Sequence, residues 1–157
     1  MKRDIRIICC DVDGTLTDGM LHVGANGEVY KTFHVRDGLG IVLAQKKGVH
    51  FAIITGRESE IVNLRAKELG IVEVYQGVED KRIVVQELLK KYNVTRDQVA
   101  YIGDDVNDIN VKSLVGLLVA VGDAHHKLKS AADVVLKSAG GKGAIREFID
   151  MYVLDEG

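Results

Sequence analysis

The chain has no proline, only two cysteines, and no apolar run approaching the roughly 18 residues of a membrane span. Without proline, turns and element ends fall to the 17 glycines. The cysteines, Cys9 and Cys10, are neighbours inside an apolar run. Strand neighbours face opposite ways, which argues against a disulfide between them and makes them small core residues of a reducing compartment. An excess of one charge is also missing, since 21 basic and 23 acidic residues leave a net charge of −2. That balance lacks the basic excess of a nucleic-acid binder. No signal-peptide pattern opens the chain, so a cytoplasmic protein with neither membrane nor nucleic-acid partner is expected. What the 157 residues do have is 46% hydrophobic content, enough to exclude disorder and fill one core. A single domain over residues 1–157 is expected.

Apolar runs at 5–10 (IRIICC), 49–54 (VHFAII), 99–102 (VAYI), 117–121 (LLVAV) and 134–136 (VVL) predict buried strands, with a shorter one at 72–75. Helical spacing falls between them. Residues 58–69 place Ile61, Leu64, Ala66 and Leu69 on one side, with Gly70 as a stop. Residues 81–92 group Ile83, Val84, Leu88 and Leu89 behind an Asp80 cap. Thr95 to Gln98 fits a capping box around a single turn, and 143–153 is a last amphipathic segment. Alternating buried strands and helices predict an α/β, Rossmann-like, three-layer fold with a parallel sheet. Residues 20–35 break that rhythm: Asn26-Gly27 between alternating segments predicts a β-hairpin inserted after the first strand.

Open parallel sheets bind ligands at the carboxyl ends of their strands. Three such ends carry unusual polar residues here: Asp11-Val12-Asp13-Gly14-Thr15, then Thr55-Gly56-Arg57, then Gly103-Asp104-Asp105-Val106-Asn107-Asp108. Lys81 opens a helix in between. Carboxylates converging at sheet ends repel one another unless a divalent cation is present, and oxygen donors without cysteine or histidine favour Mg²⁺. A carboxylate can also attack phosphorus, and a second one two positions on can move the proton. A threonine hydroxyl and a lysine supply charge and hydrogen bonds to phosphoryl oxygens.

These four segments resemble the motifs of the haloacid dehalogenase-like superfamily of phosphatases. The resemblance implies Asp11 as nucleophile and Asp13 as general acid–base. It implies Mg²⁺ held by Asp11, the Asp13 carbonyl and Asp104, with the phosphoryl group gripped by Thr55 and Lys81. Asp105 and Asp108 would stand behind them, orienting Lys81 or a metal-bound water. Residues 56–80 leave room for one helix and one short strand, so no cap domain is expected. Thr17-Asp18-Gly19, Phe33-His34-Val35-Arg36-Asp37-Gly38, Tyr75-Gln76-Gly77, Asp123-Ala124-His125 and the stretch 139–147 are similar to one capless subfamily, the 3-deoxy-D-manno-octulosonate 8-phosphate phosphatases. That similarity implies a sugar-acid phosphate substrate in lipopolysaccharide synthesis and a homotetramer joined through the hairpins, with shared active sites. It also implies sugar contacts from a loop of His34, Val35, Arg36, Asp37 and Gly38, and from Gly56, Arg57 and Arg65. Val42 and His34 depart from the subfamily's commoner arginine and asparagine.

Blander readings compete at several positions. Arg36 and Asp37 could open an exposed helix, with Asp37 as N-cap. Arg57 and Arg65, eight apart on a predicted helix, could be a solvated face. His125-His126 reads as surface, and Gly140-Gly141-Lys142-Gly143 as a flexible turn without P-loop spacing. Two other functions share parts of the pattern: a phosphatase of a nine-carbon sugar acid 9-phosphate, and a phospho-accepting receiver domain. Arg57 after Thr-Gly favours the eight-carbon acid, and the late acidic motif with Asp13 favours turnover over signalling.

Overall fold

The structure is a computed structural model and describes residues 3–155. Strands β1 (Ile7–Cys10), β4 (His50–Ile54), β5 (Glu73–Tyr75), β6 (Val99–Gly103), β7 (Leu117–Ala120) and β8 (Val134–Val135) form one sheet in the order β5-β4-β1-β6-β7-β8. Every pairing is parallel, with Cys10 beside Ile53 on one flank and Ile102 on the other. β1 and β6 are buried along their whole length, as strands covered on both faces must be. Cys9 and Cys10 lie at the centre as free thiols, and burial pushes Cys9 up to about 12.

Helices α1 (Val35–Lys46) and α2 (Glu60–Leu69) carry the chain outward from β1 through β4 to β5. Helix α3 (Lys81–Lys91) then crosses back to β6, and the 3₁₀ segment Val106–Leu114 and α4 (His126–Ala131) continue outward on the other side. Right-handed crossovers in opposite directions put these two groups on opposite faces. Helix α5 (Ala144–Ile149) packs on α1, and a π-helical turn, Asp150–Leu154, follows it. The strand order reverses between β1 and β6, which makes their carboxyl ends the topological switch point.

Strands β2 (His22–Gly24) and β3 (Gly27–Tyr30) form a separate antiparallel pair. Residues 25 and 26 make the turn, and Gly27, at φ +112°, begins the return strand. Residues 55–80 hold only α2, β5 and their connections.

Two helix faces differ from expectation. α2 buries Val62 and Ala66 and leaves Leu64 64% exposed, while α3 buries Lys81, Val84, Val85 and Leu88 and leaves Ile83 55% exposed. Asp80 does cap α3, accepting from the Arg82 N–H, and Gly70 ends α2 at φ +72°. The capping box predicted at Thr95 encloses a single 3₁₀ turn, Arg96–Gln98.

Candidate active site

Asp11 follows the last residue of β1, where its N–H donates to Ile102 O at 3.2 Å. The chain then curls: the amides of Thr15, Leu16 and Thr17 all donate to Val12 O, and Gly14 and Gly19 donate to Thr17 Oγ1. Gly14 sits at φ +90°, and a Cβ there would lie 1.9 Å from Asp104 Oδ2. Only glycine lets the Asp11 loop meet the Asp104 loop this closely. Gly140 presses on the same loop, where a Cβ would fall 1.8 Å from Gly14 O, and Gly141 N donates to Thr15 O. Gly140 and Gly141 are therefore packed against the loop after β1, where a flexible turn was expected, while Lys142 is exposed.

Thr55 follows the last residue of β4, and Thr55, Gly56, Arg57, Asp11, Asp13, Asp104, Asp105 and Asn107 line one cleft of about 210 Å³. Lys81 reaches it from the first turn of α3, buried, with Nζ 3.3 Å from Asp11 Oδ1 and 2.8 Å from Asp108 Oδ1. Burial works against the Lys81 charge, but Asp11 and Asp108 outweigh it and raise its pKa. Asp11 is itself raised, by burial first and by Asp108, against the pull of Lys81. Burial, then the carboxylates of Asp11 and Asp108, push Asp104 up to about 8.

Asp11, Asp104 and Asp108 each offer an oxygen within 4.8 Å of the others. They are not equivalent. Asp108 Oδ1 accepts from Lys81 Nζ and from Tyr101 Oη at 2.5 Å, and Oδ2 accepts from the Asp104 and Asp105 amides. Its acceptor positions are taken by the protein. Asp104 Oδ1, by contrast, is buried without a hydrogen-bond partner. An orphaned carboxylate oxygen beside a second raised carboxylate is what a hard divalent cation would relieve, and the donor set is all oxygen. The residues fit Mg²⁺ at Asp11 and Asp104, with Asp108 behind them. Asp105 caps the segment Val106–Leu114 with its own side chain.

The structure also shows members that sequence reasoning missed. Tyr101 lies mid-strand and fully buried, and its hydroxyl needed a polar partner that only the fold reveals. Lys31, just past the hairpin, lies 2.6 Å from Asp13 Oδ1 and 2.8 Å from Glu28 Oε2. The hairpin's break in the βα rhythm was the one signal that could have pointed to them.

The expected sugar contacts separate into two groups. Gly56 and Arg57 are in the cleft, and Arg57 Nε is 3.7 Å from Asp13 Oδ2. Arg57 precedes α2, so it does not share a helix face with Arg65. The segment 34–38 is not a loop but the first turn of α1. His34 is its N-cap, accepting from the Arg36 N–H through Nδ1. Asp37 is neither the cap nor exposed: it is buried, accepts from the Arg146 N–H through Oδ1, and leaves Oδ2 unpartnered. His34, Asp37, Gly38 and Arg65 border a crevice of about 10 Å³ between α1 and α2, near Val12. Val35 and Arg36 face solvent. His125 and His126 are exposed, with His125 capping α4.

A parallel sheet with this acidic switch point defines a class, and comparison with known proteins bears on it directly. Residues 58–149 match the haloacid dehalogenase-like hydrolase family, and the chain belongs to that family. Its likeness narrows further, to the 3-deoxy-D-manno-octulosonate 8-phosphate phosphatases. The phosphatase of that name from Salmonella typhi is 47% identical over 154 residues, 98% of this chain and 82% of that protein. The crystal structure of the Yersinia pestis phosphatase superposes with a TM-score of 0.94 at 45% identity, covering 97% of this chain and 82% of that one. The Moraxella catarrhalis phosphatase, solved with magnesium, phosphate and the sugar acid, gives 0.90 at 37% identity over 95% and 86%. Among the described residues no helix is long and apolar enough to cross a membrane.

Proposed function

We propose that the chain hydrolyses 3-deoxy-D-manno-octulosonate 8-phosphate to the free sugar acid and phosphate, with Mg²⁺ as cofactor, in lipopolysaccharide sugar synthesis in the cytoplasm. The observation that carries the reading is the pair Asp11 and Asp104, two raised carboxylates at the switch point, one with an orphaned oxygen. Near-half identity to phosphatases of that name over almost the whole chain supports the substrate.

The roles are those the family resemblance implies, and the positions of these side chains support them. Asp11, the Asp13 carbonyl and Asp104 would hold Mg²⁺, which when bound supplies positive charge to Asp11 and to the phosphoryl oxygens. Asp11 Oδ attacks phosphorus, and the ester oxygen leaves with the proton of Asp13. Thr55 and Lys81 hold the equatorial oxygens, and Lys81 is kept in place by Asp108. Asp13, now a carboxylate, takes a proton from the water that attacks the aspartyl-phosphate, and phosphate departs.

Gly56 and Arg57 at the cleft take the sugar. Arg65, His34, Asp37 and Gly38 border a separate crevice, and they, Val35 and Arg36 are assigned to the sugar by the resemblance alone. The hairpin leaves Met20, Leu21, Val23, Val29 and Tyr30 exposed, an apolar strip suited to pairing with copies of itself. We read it as the tetramer contact of a single-domain chain, which would close each open cleft with a neighbour.

Phosphate release from a panel tests this: the eight-carbon 8-phosphate, a nine-carbon sugar acid 9-phosphate, simple sugar phosphates and nucleotides, each with Mg²⁺ and with chelator. The eight-carbon ester should lead by about tenfold or more and lose all turnover with chelator. A nine-carbon lead of that size would replace the substrate, and an acyl-phosphate lasting minutes in the intact protein would turn the reading towards a receiver domain.

A further inference from the structure

The hairpin reaches the chemistry as well as the rim. Lysine ordinarily stays in water, yet the Lys31 side chain is 3% exposed. Burial works against its charge, and the hydrogen bonds to Asp13 and Glu28 outweigh it. Glu28 is fixed from its other side: Ser59 Oγ donates to Glu28 Oε1 at 2.6 Å, and Arg57 Nη2 stands 3.9 Å from Oε2. Lys31 and Ser59 together hold the Glu28 carboxyl below its usual range. Ser59 is also the N-cap of α2. A line of contacts thus runs from the start of α2 through Glu28 and Lys31 to Asp13.

We propose that Lys31 is a positioning residue for Asp13, brought into the site by the hairpin; this rests on the acid–base role given to Asp13 above. As Asp11 bonds to phosphorus, the phosphorus–ester bond breaks and its electron pair takes the Asp13 proton. Asp13 is left as a carboxylate, and the ammonium of Lys31 takes up that charge from hydrogen-bond distance. Held between Asp13 and Glu28, the ammonium fixes the rotamer from which the proton is given. The effect depends on the leaving group. A sugar alkoxide needs the proton, whereas 4-nitrophenolate leaves without it.

The test is steady-state kinetics of Lys31→Met, Lys31→Arg and Asp13→Asn on the sugar-acid 8-phosphate and on 4-nitrophenyl phosphate. In Lys31→Met, kcat/KM on the sugar ester, which reports only the steps up to ester cleavage, should fall about 100-fold, with a loss at least about tenfold smaller on the aryl ester. KM for the sugar ester should move less than about threefold, and Lys31→Arg should regain about tenfold or more of the loss. Equal losses on both esters, no loss, or no recovery with arginine would each overturn the proposal. Lys31→Gln replaces the methionine variant if that one does not fold. If Asp13→Asn spares the sugar ester, the role of Asp13 itself is wrong. If Asp13→Asn abolishes turnover while Lys31→Met shows no ester dependence, the proposal for Lys31 alone fails.

Discussion

At the scale of single residues, Asp108 organises the site without the freedom to act in it. Two donors meet one of its oxygens and two meet the other. An asparagine amide, whichever way it is turned, would set its NH₂ against two donors. Asp108→Asn should therefore lower stability by about 3 kcal/mol and release Lys81 from its place. Tyr101→Phe removes one donor and should cost about 1 kcal/mol, with less than a tenfold loss of turnover. Urea unfolding and kcat for the two variants check that order, and a reversed order would refute it. Asp11→Asn should abolish turnover and leave the metal-free melting temperature unchanged or higher, because burial and Asp108 already disfavour the charge it removes. Residual hydrolysis well above background would rule out the covalent route. The strand-end carboxylates, Thr55 and Lys81 could be read from the sequence because each is a polar residue abutting an apolar run. Tyr101 could not, since a tyrosine inside a buried strand looks like core until its hydroxyl finds Asp108.

Among the elements, legibility failed where two explanations of one pattern compete. In α2 the sequence groups Ile61 and Leu64 with Ala66 and Leu69, while Val62, Ala66 and Leu69 follow helical spacing as well. The fold buries Val62 and Ala66, packs Leu69 partly, and leaves Leu64 in water. At Arg36 and Asp37 a helix start competed with a substrate loop, and the fold makes α1 there. The early glycines of that helix sit close to its neighbours: a Cβ on Gly38 would lie 2.5 Å from Arg65 Nη2, and one on Gly40 would lie 2.9 Å from Arg146 Cδ. They serve close packing against α2 and α5, which only tertiary structure discloses. The loop after β1 carries its own prediction. Gly14→Ala puts a methyl on Asp104 Oδ2 at a strained φ, so it should raise the Mg²⁺ needed for half-maximal activity by about tenfold or more. A Mg²⁺ titration of kcat measures this, and an unchanged midpoint would show that the two loops can part without cost. The hairpin's apolar strip is testable by charge: Val23→Glu with Val29→Glu should dissociate the proposed tetramer in sedimentation velocity. A single-species profile identical to that of the parent protein would place the contact elsewhere.

For the whole molecule, order of elements and sheet topology were the most legible features. Buried strands alternating with helices admit few arrangements once crossovers must be right-handed. The homotetramer is an expectation from the resemblance alone, because an exposed apolar strip does not number its partners. The acidic switch point also sets a global pH dependence. An aspartate raised from about 4 to about 8 in the fold opposes folding more strongly as pH climbs through that window, since the unfolded chain gives up the proton first. Metal-free protein should thus lose melting temperature from about pH 5 to about pH 8, and added Mg²⁺ should restore most at the upper end, where its ligands are deprotonated. Calorimetry at several pH values, with Mg²⁺ and with chelator, checks both trends; a chelated protein most stable at pH 8 would contradict them.

The paired thiols of β1 extend this to motion. Cys9 and Cys10 are sealed in the central strand, and burial holds both thiols protonated well beyond neutral pH. An alkylating reagent can reach them only when the sheet itself comes apart. The rate of iodoacetamide labelling is therefore a clock for global opening, written into the strand that runs into Asp11.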